Sequence, residues 1–533
     1  MKPKIFLLSC LSFIIFNFSF IIGTVRYVSK TGSSTPPYTT WETAADSIME
    51  CINISVFGDT IYVANGTYKE QVVMIPGLSL IGAGMDSCII DTRELANIGF
   101  AVQVTDSCSL SGFQTHTTTD MTQIGIVVYD FGINFTTAII EYNMIKNASE
   151  GISVRTSSLG FDDHYKVVRQ NIIADVRDGI RSDQTNPIIT ENIIYPQEDG
   201  LVSQIISLPT YINNIIVFDD VIGATGFENY GGSSKLENNL FYGRGNFGFW
   251  TFGDSIKNNV VFGEGGNWGV GFFGADSDVK NNHVENIETG LYYYNEGGTP
   301  PIYQYNNMWN NEINFENFTP DTTNIFVVPM FVDPDSMDFH LQKYSPLINA
   351  GDPTILDVDG TRSDIGLYGG PYGEQYHYID LAPRTPINLN AKLDSLTVGI
   401  TWNKNTEADF NHYNVYRDTL KNFQIDSTNL FLSTPVSNLI DILPDYVDKI
   451  YYKITAVDNQ GNESEPSEEV GFILTSVTDH QQTISDYRLY QNYPNPFNPT
   501  TKISYRLKER GYVKLYVYDI KGELISVLVN QTQ

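Results

Sequence analysis

Cations are scarce in this chain: 32 Lys and Arg stand against 62 Asp and Glu, a formal net charge of −30 over 533 residues. That deficit argues against nucleic acid or an anionic membrane surface as partner, because basic patches hold both. Cysteine is nearly absent, at four residues, and no Cys-x-x-Cys or Cys/His cluster marks a zinc site. Cys88 and Cys108 share an Asp-Ser-Cys context, so they are expected as neighbours, either as a disulfide or as two buried thiols. Long apolar runs are missing beyond the N-terminus. There, Met1-Lys2-Pro3-Lys4 precedes an apolar stretch from Ile5 to Ile22. We read residues 1–23 as a secretory signal peptide, with an uncleaved anchor as the alternative; once it is cleaved, no transmembrane segment is expected. The length exceeds one compact core, so several domains are expected.

What the chain has in plenty is asparagine ahead of apolar residues. Asn143-Met144-Ile145, Asn171-Ile172-Ile173, Asn192-Ile193-Ile194 and Asn214-Ile215-Ile216 are followed by Asn239-Leu240-Phe241, Asn259-Val260-Val261, Asn282-His283-Val284 and Asn307-Met308-Trp309. These asparagines recur every 20 to 28 residues, too long for hairpins and too short for a βαβ unit, but fitting one turn of a solenoid. A glycine follows each by several residues and opens an alternating run, as in Gly151-Ile152-Ser153-Val154-Arg155 and Gly179-Ile180-Arg181-Ser182-Asp183. Such short alternating runs predict strands that pair in parallel from turn to turn. Asparagines stacked at the bends would satisfy polar groups otherwise buried without partners. Thr40 is expected to cap a helix, Trp41 to Ile52, that closes the end of the stack.

The expected helix followed by Gly58-Asp59-Thr60-Ile61-Tyr62-Val63-Ala64-Asn65-Gly66-Thr67-Tyr68 resembles the entry to secreted right-handed parallel β-helix proteins of the pectate-lyase fold. With the asparagine-marked turns, it implies an all-β solenoid over residues 24–378. Asp338-Phe339-His340-Leu341 and Ser345-Pro346-Leu347-Ile348-Asn349-Ala350-Gly351 resemble the closing segment of bacterial β-helix proteins. They lead into Asp357-Val358-Asp359-Gly360-Thr361-Arg362-Ser363-Asp364. Here Asp357, Asp359 and Asp364 are either calcium ligands or a structural cap built by Asp side chains on local backbone. After the proline-marked linker at Ala382-Pro383, residues 379–476 resemble a fibronectin type III-like β-sandwich, on Trp402, Tyr413-Asn414-Val415-Tyr416 and Tyr452-Lys453-Ile454-Thr455-Ala456. A linker, 477–486, precedes Tyr493-Pro494-Asn495-Pro496-Phe497-Asn498-Pro499. With Tyr516-Val517-Tyr518-Asp519, that run makes residues 487–533 resemble a partial β-sandwich, the C-terminal sorting domain of type IX secretion, truncated before its Gly-x-Tyr strand. The resemblance implies the type IX secretion machinery as partner and a secreted or outer-membrane-surface location.

Alternation along the glycine-led strands, with Gly125 and Gly223 added as turns, points the second and fourth residues outward. This gives rows of Tyr129, Arg155, Asp183, Gln204, Phe227, Phe252, Phe273, Tyr294 and of Val127, Ser153, Arg181, Val202, Thr225, Trp250, Gly271, Tyr292. The aromatic part, Phe227, Trp250, Phe252, Phe273, Tyr292 and Tyr294, is the expected sugar-contact strip, since rings at strand spacing match sugars advancing about 5 Å each. Stacking of these rings on one another is the plain alternative. In the charged part, Arg155, Arg181 and Asp183 project beside a loop carrying Asp162, Asp163, His164 and Lys166. Arg or Lys as base is what resemblance to β-helix lyases implies for elimination on uronic acids, beside calcium. The lyase runs Trp-x-Asp-His and Arg-x-Pro-x-x-Arg are absent, and Asp162-Asp163 and Asp219-Asp220 stand without the His motif of polygalacturonase-like hydrolases. A salt-bridge ladder is the alternative for these charges. The expected partner is an extracellular polysaccharide. The protein is expected to cleave it as a lyase or glycosidase, to bind it as an adhesin, or to serve as a structural surface protein.

Overall fold

The computed structural model describes residues 23–118, 120–130, 137–156, 166–204, 206–219, 223–244, 247–264, 269–294, 298–394, 397–443, 448–473, 487–496 and 499–533. The signal-peptide stretch through residue 22, the loop residues Asp162, Asp163 and His164, Asp220 and the linker 477–486 lie outside them. The chain divides into two compact units, the first holding the chain up to Pro383 together with Asn405–Asn411 and Val457–Glu463, the second the remainder. Among the described residues no helix is long and apolar enough to cross a membrane.

The first unit is a parallel β-solenoid. Its strands form three long sheets of 12, 11 and 11 strands, each strand paired in parallel with its equivalent one turn away. In each turn a strand of the first sheet, such as Ala138–Glu141, leads through an asparagine bend into the third sheet, Met144–Lys146. The chain then bends into the second sheet, Glu150–Thr156, before a loop of variable length returns it to the first. Apolar side chains fill the interior: Ile140, Ile145, Ile152, Val154, Val168, Ile173, Ile180, Ile189 and Ile194 are all fully buried. Glycines open the second-sheet strands because nothing larger fits. A Cβ on Gly179 would lie 2.3 Å from the Gly200 carbonyl oxygen and 2.4 Å from Ile194 Cγ2.

The asparagine ladder is the axis of the stack. Asn143, Asn171, Asn192, Asn214, Asn239, Asn259, Asn282, Asn306 and Asn324 are all buried. Each of the first eight donates its amide to the next Oδ1 at 2.9–3.2 Å. The same Oδ1 accepts a backbone N–H from the previous turn, as from Asn171 to Asn192 at 3.1 Å. At the last pair the ladder uses Asn306, not the expected Asn307; Asn307 has moved into the third-sheet strand Asn307–Trp309. The residue just before each rung sits at positive φ, from Tyr142, Gln170 and Glu191 through Asn213, Asn238, Asn258 and Asn281 to Tyr305.

The helix is shorter than expected. It spans Ile48–Asn53 and is capped by Ser47, not Thr40. The cause is Glu70, whose carboxylate accepts the Ile48 and Met49 N–H groups at 2.8 and 2.9 Å and so fixes the helix start. Residues before it form turns that put Ala45 against Val28. Cys88 and Cys108 are free, buried thiols, and burial pushes Cys88 up to about 12.

The closing segment does more than end the stack. It runs back along the third sheet as a strap. Asn281 Oδ1 accepts the Asp352 N–H at 2.6 Å. Asn258 donates to the Asp364 carbonyl at 2.8 Å, Asn238 to the Leu367 and Gly369 carbonyls at 2.6 and 2.7 Å, and Asn213 to the Tyr372 carbonyl at 3.3 Å. Beneath it, Leu240, Tyr242, Val260 and Phe262 are buried against Phe331, Phe339, Leu341, Leu347 and Ile365.

In the second unit, Asn390–Asp394, Thr397–Thr401 and Asn438–Ile442 form one antiparallel sheet. Leu430–Thr434, Phe410–Asp418, Lys449–Asp458 and Val470–Ile473 form another. Trp402 packs edge-on to Tyr413 at 5.1 Å. Two small two-stranded sheets follow, the longer pairing Tyr512–Tyr518 with Leu524–Thr532.

Candidate functional site

The second sheet carries the outward rows, and its register differs from the sequence alignment at two turns. The glycine column runs through Gly200, Gly226, Gly248, Gly271 and Gly290, so Gly226 and Gly271 replace Gly223 and Gly269 as the turn openers. Phe227 therefore pairs with Leu201 and Phe249 and is fully buried in the interior. It packs there tilted 58° against Phe249, which itself stacks on Phe272, and the expectation of an exposed sugar contact at Phe227 is corrected. Phe273 moves into the row of Trp250 and Tyr292. The row now reads Arg181, Val202, Glu228, Trp250, Phe273, Tyr292, Glu316. Glu228 was missed; reading Gly226-Phe227-Glu228 in phase with Gly248-Phe249-Trp250 would have found it.

Trp250, Phe252, Phe273, Tyr292 and Tyr294 are all half-buried at this face. Phe273 and Tyr292 stack at 5.3 Å and 18°, while Trp250 stands 64° out of the Phe273 plane at the same distance. Tyr294 lies 5.1 Å from Phe273 and 6.5 Å from Phe252. Two of these rings thus spend faces on one another, and Trp250 is the ring of the row turned out of that stack.

Acids stand at the strand openings Glu150, Asp178 and Asp199, while Glu228, further along the next strand, is the acid in register with Trp250. Arg155 Nη2 donates to both Glu150 oxygens at 2.7 and 2.6 Å, and its Nε to Ser153 Oγ at 2.6 Å. Arg181 Nη2 donates to Asp178 at 2.7 Å, and its Nε lies 3.4 Å from Glu150. Burial opposes the Arg181 charge, but Asp178 and Glu150 outweigh it and hold its pKa above the ordinary value. Both arginines are thus members of an ion-pair ladder. Asp183 lies in register with Arg155 and Gln204, half-buried. Lys166 is buried at the start of a first-sheet strand, its Nζ 3.2 Å from Thr185 Oγ1. Its ammonium points into the protein and does not join the outward rows.

Asp199 is different, because the neighbouring Glu228 carboxyl disfavours its charged form. Burial first, and then the Glu228 charge, push Asp199 up to about 8. The pKa of Tyr230 is raised by burial and by the Glu228 carboxylate. Asp199 thus favours its protonated form into the neutral range, one turn before the strand whose Glu228 pairs with Trp250.

The strap's acids are occupied locally. Asp357 accepts the Asp364 N–H at 3.0 Å, Asp359 the Thr361 N–H at 2.9 Å, and Asp364 the Asn349 N–H at 2.7 Å and the Tyr378 hydroxyl at 2.8 Å. Burial pushes Asp364 up to about 6. A cleft of about 540 Å³ opens beside them, lined by Tyr368, Tyr376 and Tyr378. Among the described residues the carboxylates that converge within 4.8 Å are instead Asp380, Asp409 and Asp458.

Fold and face together define a parallel β-solenoid with an acidic, aromatic strip on one sheet. No family model and no curated protein matches the chain. Among solved structures it is similar to an α-1,3-glucanase catalytic unit from Streptomyces thermodiastaticus, at 12% identity and TM-score 0.35, covering 49% of this chain and 54% of that one. It is also similar to the mannuronan C-5 epimerase A-module of Azotobacter vinelandii, at 12% identity and TM-score 0.30, covering 50% and 89%. Carrot pectin methylesterase follows at 10% identity and TM-score 0.24, covering 57% and 88%. These neighbours act on polysaccharides, but likenesses this slight carry no argument for this chain's activity.

Proposed function

We propose that this protein is a secreted or surface-held binder of an extracellular polysaccharide, laid along the second sheet of the solenoid. The observation that carries the reading is the unbroken row Glu228, Trp250, Phe273 and Tyr292, one residue per turn. Rings at roughly 5 Å intervals match the repeat of an extended glycan chain, and an open sheet face admits a polymer that a closed pocket would exclude. Carboxylates and the Tyr230 hydroxyl beside the rings supply hydrogen bonds to sugar hydroxyls. The second unit serves as a fibronectin-like spacer and the C-terminal strands as a sorting signal in this reading.

Cleavage of the bound chain is the second reading, and the Asp199–Glu228 pair favours hydrolysis over elimination. A carboxyl still protonated near neutrality is the donor a leaving glycosidic oxygen needs. Elimination would need an unprotonated base to take the proton and a cation to neutralise the sugar carboxylate, and Arg155 and Arg181 are held as guanidinium partners of Glu150 and Asp178.

Retention on immobilised glycans tests the binding reading. Trp250→Ala is expected to abolish retention on whichever glycan the full chain binds, while leaving the melting temperature nearly unchanged because the side chain is half-exposed. Undiminished retention in that variant would refute it.

A further inference from the structure

Resting on that binding reading, we infer that the glycan is neutral, and that polyuronates are excluded from the face. Acids close the aromatic row at both ends: Glu228 pairs with Trp250 on one side and Glu316 with Tyr292 on the other. A polymer long enough to cover the rings must pass over at least one of them. The nearest cations offer no relief, since Arg155 is held by Glu150 and Arg181 by Asp178 and Glu150. The acids on these turns, Glu150, Asp178, Asp199 and Glu228 with Glu198 beside them, outnumber the guanidinium groups of Arg155, Arg177 and Arg181. A sugar carboxylate brought there meets like charge in a partly desolvated setting, which costs far more than the same encounter in water.

A neutral sugar meets no such penalty. Asp199, held toward its protonated form, and the Glu228 carboxylate offer a donor and an acceptor, which is what a hydroxyl group needs, and the indole offers an apolar plane. An amine-bearing glycan would gain charge attraction, but it would also have to strip water from an ammonium already well solvated. The face contains donors and acceptors suited to hydroxyls.

The test is retention of the full chain on neutral glucan, xylan and mannan, on polygalacturonate and alginate, and on chitosan. It is run at pH 7 with and without calcium, each matrix also tested with Trp250→Ala. Trp250-dependent retention on a neutral glycan, at least roughly tenfold stronger than on either polyuronate, is expected. The double variant Glu228→Gln/Glu316→Gln is expected to narrow that gap by admitting polyuronates. Trp250-dependent retention on a polyuronate, with or without calcium, would overturn the inference and leave the binding reading standing. So would Trp250-dependent preference for chitosan over every neutral glycan. Failure to bind any of the matrices would bring down both.

Discussion

Asp199 shows how one side chain can be read from its surroundings alone. An aspartate titrates near 4 in an unfolded chain, whereas burial and Glu228 raise this one to about 8 in the folded protein. The folded state therefore keeps a proton that the unfolded state releases across that window. Its contribution to stability is fully present below about pH 4 and is lost as pH rises through about 8. Asp199→Asn removes this term, so the variant should lose less stability than the parent between those values. Melting temperatures at successive pH values check it, and parallel curves for the two proteins would contradict the raised Asp199 pKa. If the face hydrolyses its glycan, the same variant should also release no reducing ends. Little of this pair was legible beforehand. Arg155, Arg181 and Asp183 stand out because they follow glycines in an obvious frame. Glu228 follows Gly226, and Gly223 three residues earlier offered a plausible but wrong frame that also placed Phe227 on the surface.

At the scale of the turn, most of the architecture was legible, because a ladder rung has a strict chemical requirement. Asn171 donates to the Ile140, Arg169 and Asn192 oxygens and accepts from the Asn143 amide and backbone. Few other side chains carry both a donor and an acceptor at that reach, and each amide group left unmet in the interior is costly. Asn192→Ala is therefore expected to cost about 2–4 kcal/mol, since it strands buried donors and acceptors on both neighbouring turns. Chemical denaturation of the full chain would show this as a lowered midpoint; Asn186→Ala, away from the ladder, serves as the comparison. What the pattern did not reveal was the point where it shifts, from the second asparagine of a pair to Asn306. A doubled Asn leaves the choice of rung to backbone geometry, and only the positive φ of Tyr305 settles it. The helix start was hidden for a similar reason, since Glu70, distant in sequence, fixes it.

Across the whole solenoid, the doubled asparagines have a second meaning. The rung alone needs one Asn per turn, and Tyr142, Gln170 and Glu191 hold the preceding positive-φ position where the strap is not seen to bond. Where the strap does run, that position is Asn213, Asn238, Asn258 and Asn281, and each bonds the strap. A short amide side chain both tolerates the left-handed backbone and reaches a neighbouring carbonyl or N–H. The pair Asn-Asn is thus one residue for the axis and one for the strap, which is why the doubling is confined to the later turns. The strap in turn keeps Leu240, Tyr242, Val260 and Phe262 from water, on a sheet separate from the proposed sugar-contact face. Asn238→Ala/Asn258→Ala should therefore loosen the strap selectively, at about 1 kcal/mol for each lost set of bonds. Hydrogen exchange should speed up over residues 347–370 and the third-sheet strands beneath, while the second sheet keeps its protection and glycan retention persists. Equal loss of protection in all three sheets would mean that the strap is part of one cooperative stack and not a separately released cover.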